Sequence, residues 1–384
     1  MTASKLKNLI QNKNVIYITV KNKDYIRTSQ IRRFLKENAS GVKIVTSEKS
    51  NAFLRASDLR KKIDVKLLQN ADVVIAGFLP QLIWSKIIKV NKEFQKENRN
   101  NPDKKKLIII AEFFLSLYDT ICCDRKYFFK KGIVAIVLKI LDIRVLKKAD
   151  LVVTDTASDA IYFSKMSKRK MEDFDVMYLE ADPEIYHTSN ISQNKGQDTD
   201  DTLELTREER CERFLRKRGL IEGSADDSER KEEYKVLYFG TGLPLQGNDI
   251  VVRAFAILGN AVKISHIDNK KLELVYIGRL SRKNKKIVNK IPNLTYYPWL
   301  SQEKLAGEIE SADLCLAGHF NATIDKADRT IPGKAFTYEK MNKRMILTDT
   351  KANHELFEKD YRHLWIERGS SKELVRVIWE CYYE

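Results

Sequence analysis

A chain of 384 residues that is 43% hydrophobic has room for about two domains with packed cores, which excludes an intrinsically disordered protein. Its formal net charge of +16 suits a polyanionic partner such as a nucleic acid, an anionic membrane surface or a phosphorylated substrate, although the cations are scattered along the whole chain. Five cysteines without a C-x-x-C pair supply neither a disulfide framework nor a zinc site, and adjacent Cys122 and Cys123 read as buried thiols.

Residues 1–14 are polar and basic without an apolar core segment, and no run reaches the ~18 apolar residues of a membrane-spanning helix. The expectation is a cytoplasmic protein, soluble or attached to a membrane surface. Residues 15–20, a β-branched apolar run, predict a buried strand, and residues 31–36 a helix. Further strands are expected at 42–45, 71–77, 107–111, 151–154 and 176–179, with a helix over 82–97 whose apolar residues share one side. Strands that are apolar on both faces and alternate with helices imply a parallel, doubly wound sheet. Ligands of such sheets bind beyond the carboxyl ends of the strands, where Glu112 and Asp119 follow the fourth. Either carboxylate there suits orienting or deprotonating an acceptor hydroxyl, or serves as an ordinary cap.

Residues 132–146 are almost continuously apolar and are flanked by Arg125, Lys126, Lys130, Lys131, Lys147 and Lys148. Two readings stand open: a helix lying in a membrane interface, or one buried between two sheets with solvated ends. Lys139, Asp142 and Arg144 are expected to form a narrow polar face. From residue 188 to 233 the composition turns polar and charged, which predicts a linker, with a short helix opening at Thr206. The chain thus divides into domains at 1–187 and 234–384.

The second half repeats the pattern. A strand at 235–239 runs into Gly240-Thr241-Gly242-Leu243-Pro244-Leu245-Gln246-Gly247 and a helix from Asp249, an arrangement that lets backbone N–H groups approach phosphate. The spacing fits neither G-x-G-x-x-G nor a Walker loop. A strand at 272–277 ends at Gly278-Arg279, Tyr297-Pro298-Trp299-Leu300 leads to a helix capped by Ser301, and Ala312-Asp313 opens a strand ending at Gly318. His319 follows it, either facing a cleft or serving structure. A loop then carries Arg329, Pro332, Gly333 and Lys334 into a helix at 334–343 and a strand at 345–348. Pro332 suits a helix entrance, and a helix starting there aims N–H groups and two cations at one spot, an anion site fit for a diphosphate. The plain alternative is a loop with two solvated cations.

These landmarks, in this order, resemble the donor-binding half of the GT-B glycosyltransferases of the glycogen-synthase-like "group 1", or family four, type. Their pattern runs Pro-x-Lys-x-x-Glu-Tyr-x-Ala-x-Gly-x-Pro-Val-Ile; Pro332, Lys334 and Tyr338 match it, and Met345-Ile346 stands at Val-Ile. Thr337 replaces the carboxylate that holds the donor ribose, and Arg329 falls where the first Glu of the E-x7-E pair would be. Lys340, Asn342 and Arg344 replace Ala, Gly and Pro, and Gln246 stands where many members have Lys. The resemblance covers residues 234–357 in order, with a looser echo in the first half.

What the resemblance implies is a GT-B fold, two doubly wound Rossmann-like parallel-sheet domains facing a cleft. The implied activity is a retaining, metal-independent transfer of a sugar from a nucleotide-sugar donor to a glycan or lipid-linked acceptor, with the donor as substrate and no cofactor. Arg329 and Lys334 would stabilise the departing diphosphate, and His319 and Asp119 would border the reacting sugar and acceptor. Gly240, Thr241, Gly242 and Gly247 would cradle phosphate. The Pro298–Leu300 turn would border the base and Thr337 would give a hydroxyl to the ribose, with Arg279 and Glu339 as further candidate donor-binding residues. Two other classes remain: a basic nucleic-acid-binding α/β protein, disfavoured because no basic-aromatic interleaving is evident, and a catalytically silent GT-B subunit.

Overall fold

Strand β1 (Asn14–Thr19) shows why this chain builds parallel sheets: five consecutive residues from Val15 are buried. Val15 and Tyr17 pack into one apolar cluster, and Ile16 and Ile18 into another on the opposite face of the same sheet. A strand covered on both sides needs helices above and below, and crossover helices deliver them. In the computed structural model, residues 3–23, 25–98, 106–187, 232–264 and 270–384 are described. The predicted linker helix from Thr206 lies outside them.

In chain order the first unit contains α1 (Ser4–Ile10), β1, α2 (Ile26–Asn38), β2 (Gly41–Val45), α3 (Ala52–Lys62), α4 (Val65–Leu68), β3 (Val73–Gly77), α5 (Trp84–Glu97), β4 (Ile108–Glu112), α6 (Ile133–Lys148), β5 (Leu151–Thr154), α7 (Ala157–Ser167) and β6 (Phe174–Val176). Its sheet runs β2-β1-β3-β4-β5-β6 with every pair parallel. The sixth strand ends at Val176 rather than extending to residue 179.

The second unit contains β7 (Glu232–Gly240), α8 (Asn248–Ile264), β8 (Lys270–Gly278), α9 (Arg282–Val288), β9 (Leu294–Tyr297), α10 (Gln302–Glu310), β10 (Leu314–Leu316), α11 (Gly333–Lys340), β11 (Met345–Thr348), β12 (His363–Ile366) and α12 (Ser371–Tyr383). Its sheet runs β12-β11-β10-β7-β8-β9, again all parallel, which is the doubly wound order with its switch between β7 and β10. At Gly278, where φ is +133°, a Cβ would overlap the carbonyl oxygen of Gly240, so this pass of β8 beside β7 admits only glycine.

Two segments from the C-terminal half, Ile324–Ile331 and Thr350–Leu356, belong to the first unit. The Glu355 carboxylate accepts hydrogen bonds from the N–H groups of Ala157 (2.7 Å) and Ser158 (2.6 Å) at the start of α7, and from the Tyr178 hydroxyl (3.0 Å). An anion at a helix N-terminus meets unsatisfied donors and the positive dipole end, which holds this segment there. The stretch expected to act as one donor motif is therefore divided: Arg329 is in the first unit and Lys334 in the second.

Helix α6 also departs from expectation. Lys139, Asp142 and Arg144 do not share a polar face: Lys139 and Arg144 are exposed, while Asp142 is turned fully inward. Much of the helix's apolar surface is exposed, including Ile133, Ile136 and Ile140, so it is not a helix buried between two sheets.

Candidate functional site

The crossover from β10 to β11 carries α11, so topology puts the start of α11 at the carboxyl end of the second sheet, beside its switch point. Lys334 is the second residue of that helix. It is only 5% exposed, its Nζ lies 4.7 Å from the centroid of the Tyr238 ring, and among the described residues Nζ has no hydrogen-bond partner. Burial alone pushes its pKa down to about 7. A buried ammonium without an anion is costly, and the strain is relieved when an anion arrives.

The glycine-rich loop is the second component. Gly240 closes β7, and Gly242 (φ +83°) and Gly247 (φ +66°) take left-handed backbone. Gln246, standing where many members of the resembled family have Lys, folds its amide back: Oε1 accepts the N–H groups of Gly242 (3.0 Å) and Leu243 (3.2 Å). Those two donors are satisfied within the loop by Gln246. Its Nε2 reaches the hydroxyl of exposed Thr241 at 3.5 Å.

This loop is tied to the one after β10. The N–H groups of Phe320 and Asn321 donate to the carbonyls of Gln246 and Leu245, each at 3.3 Å. A Cβ at Gly247 would sit 2.8 Å from the Asn321 nitrogen, so glycine is required for the close approach. His319, buried, lies between Gly318 and this strap. The Tyr238 hydroxyl donates to Asn248 Oδ1 (2.6 Å) at the start of α8. Tyr238 and Asn248 escaped the sequence reading, although a polar residue directly before a helical pattern is a cap signal that would have marked Asn248.

The remaining expected donor residues fall in several places. Thr337 is buried and turns its hydroxyl toward the Gly333 carbonyl (3.5 Å). Glu339 pairs with His363 Nε2 (2.8 Å) and Arg362 (3.4 Å), so its carboxylate is committed to the β12 side. Arg279 and Pro298 are exposed and Leu300 is half-buried; the Arg279 carbonyl oxygen would be 3.3 Å from a Cβ on Gly242, placing that backbone beside the loop.

In the first unit, Arg329 is held by Asp119 (2.8 Å) and by Asp159, and stacks 3.7 Å above the Tyr162 ring. The Tyr162 hydroxyl donates to the other oxygen of Asp119 (3.0 Å). Burial and the neighbouring Asp155 push Asp159 up, and the Arg329 charge opposes them. Asp119 and Arg329, both expected in catalysis, thus neutralise each other. Glu112 is locked as well, accepting from Arg27 Nε (3.0 Å), the Tyr17 hydroxyl (2.9 Å) and the Phe78 N–H (3.0 Å).

No known family profile matches the chain. No curated protein sequence matches it. Among solved structures, it aligns over 96% of its length with 89% of the HepE protein of Anabaena in complex with UDP, at 13% identity and a TM-score of 0.56. It aligns over 97% with 90% of the sucrose-phosphate synthase of Thermosynechococcus elongatus, at 9% identity and a TM-score of 0.63. It aligns over 96% with 90% of WaaG, a glycosyltransferase involved in lipopolysaccharide biosynthesis, at 10% identity and a TM-score of 0.56. At such identities the likeness shows the fold: two Rossmann-like parallel-sheet domains of the GT-B type.

Proposed function

We propose that this GT-B chain is a glycosyltransferase that binds a nucleotide-sugar donor at the switch point of its second sheet and moves the sugar to an acceptor hydroxyl. The observation that carries the reading is Lys334, a buried lysine whose Nζ has no hydrogen-bond partner among the described residues, at the edge where doubly wound sheets take ligands. An ammonium held there meets the charge that grows on a diphosphate as the sugar departs, and burial makes the interaction stronger than it would be in water.

Around it, the loop from Gly240 to Gly247 would accommodate the phosphates, with Gln246 holding its shape. His319 would border the sugar, Thr337 the ribose, and Arg279, Pro298 and Leu300 the base. Asp119 and Arg329 act through the loop they hold in the first unit. The reading further takes transfer as retaining and metal-independent, and the acceptor as a glycan or a lipid-linked saccharide. HepE, solved with UDP and also with UDP-glucose, supports the choice of donor class.

The test is a thermal-shift screen against UDP-, GDP-, ADP- and CMP-sugars. A ligand at a hundred times its Kd stabilises the folded state by about 2.7 kcal/mol. A shift with one nucleotide class, lost in Lys334→Met, is the expected result, and no shift with any of them defeats the proposal. Turnover of the bound donor then separates an enzyme from a silent subunit that only binds.

A further inference from the structure

Helix α6 is built inside out around its middle turns. Its inward side carries Asp142, fully buried, whose carboxylate accepts from the Ser116 hydroxyl (2.7 Å), Gln81 Nε2 (2.7 Å), and the N–H groups of Leu117 (3.0 Å) and Tyr118 (3.0 Å). Rolling the helix to bury its apolar stripe would leave these four donors without their acceptor, so the roll is fixed. Outward point Ile133, Ile136, Val137 and Ile140 at helical spacing, continued by Tyr127 and Phe129 of the preceding turn. Phe129 is 89% and Ile133 82% exposed. A contiguous apolar patch of this kind on a water-facing surface marks an interaction site.

The charge around the patch identifies the occupant. From Arg125 to Leu141 the chain holds Arg125, Lys126, Lys130, Lys131 and Lys139 and no acidic residue, and all five cations are exposed. A second copy seated face to face would bring these cations together with no carboxylate from the segment to answer them. An anionic bilayer meets both demands, phosphate for the lysines and acyl chain for Phe129 and Ile133. The helix is 16 residues long, roughly 24 Å, short of the ~30 Å hydrocarbon core. Among the described residues no helix is long and apolar enough to cross a membrane.

We infer that α6 and the turn before it form a docking surface for an anionic lipid bilayer, with the helix lying in the interface plane. The reading does not depend on the proposed transferase activity.

The test uses the full chain and flotation with vesicles of phosphatidylcholine alone and of phosphatidylcholine mixed with phosphatidylglycerol. Association with the mixed vesicles, weak or absent on the neutral ones and reduced by salt, is expected. Phe129→Ser/Ile133→Ser should abolish it. Lys130→Glu/Lys131→Glu should weaken it by at least about fivefold per lysine, the equivalent of ~1 kcal/mol each. These side chains are exposed, so melting temperatures should be unchanged; if the serine variant does not fold, the charge-reversal variant decides. No association with the anionic vesicles, equal association with both kinds, or unchanged association in the charge-reversal variant overturns the inference. So does a protein that dimerises without binding vesicles and becomes monomeric in the serine variant, which would assign the patch to a second copy.

Discussion

Lys334 Nζ stands 4.7 Å from the centre of the Tyr238 ring, and the Tyr238 hydroxyl in turn donates to Asn248 Oδ1. An aromatic face offers a cation some attraction, worth ~0.5–2 kcal/mol, but does not replace an anion. The second unit thus places an under-compensated cation on a polar, hydrogen-bonded ring at its ligand edge.

The first prediction is a trade of stability for function. Lys334→Met keeps the length of the side chain and removes the buried charge, so the unliganded protein should become more stable by ~1–3 kcal/mol. Diphosphate-nucleotide binding should be lost at the same time, and turnover should fall by about a hundredfold or more. Thermal melting with and without nucleotide checks both. A variant that is destabilised and still binds nucleotide would contradict the site.

The second concerns pH. With its folded pKa near 7, below the ordinary lysine value of 10.5, Lys334 is protonated more in the unfolded chain than in the folded one between those values. Stability should therefore rise with pH across that window, by up to a few kcal/mol. Diphosphate binding should move the other way, weakening by up to about tenfold per unit above pH 7 as the ammonium is lost. Calorimetric titrations of the nucleoside diphosphate between pH 7 and 9 would show it. A profile identical in Lys334→Met would assign the effect elsewhere.

The third separates Arg329 from Lys334. Arg329→Ala leaves Asp119 and Asp159 buried without their cation, so the expected result is destabilisation by ~3–5 kcal/mol. Arg329→Lys should recover only part of it, because one ammonium cannot grip two carboxylates and stack on Tyr162 as the guanidinium does. Denaturant unfolding measures this. An unchanged unfolding midpoint with lost turnover would show that Arg329 serves substrate directly.

The fourth addresses Asp142. Burial pushes its pKa up to about 6 from the ordinary 3.8, so the folded chain holds more protons between these values and stability should fall as pH rises through about 6. Asp142→Asn replaces one acceptor oxygen by a donor amide facing four donors, at a cost of ~1–3 kcal/mol. Its unfolding curve should also lose that pH dependence, which denaturation at pH 5 and 7 would reveal.

Both sheets were legible in the sequence, because a strand covered on two faces must be apolar at every position. Val73-Val74-Ile75-Ala76 and Met345-Ile346-Leu347 announce themselves without any knowledge of their neighbours. Helix ends carried local signals too: Ser301 caps α10 through the Lys304 N–H, and Pro332 stands at the entrance of α11. The glycine loop, its helix and Lys334 were found in the same way, since backbone turns and helix starts are encoded within a few residues.

Tertiary structure alone decided what those residues meet. Arg329 finds its carboxylates 170 and 210 residues away, and no periodicity records such a pairing. That Gln246 satisfies its own loop, that Lys334 is buried with no hydrogen-bond partner for Nζ among the described residues, and that α6 turns Asp142 inward and its isoleucines outward all depend on which surfaces pack together. Local sequence specifies the hydrophobic faces and the turns. Which polar group is then sealed beside which other follows from the packing of whole elements, because desolvation and pairing act through space and not along the chain.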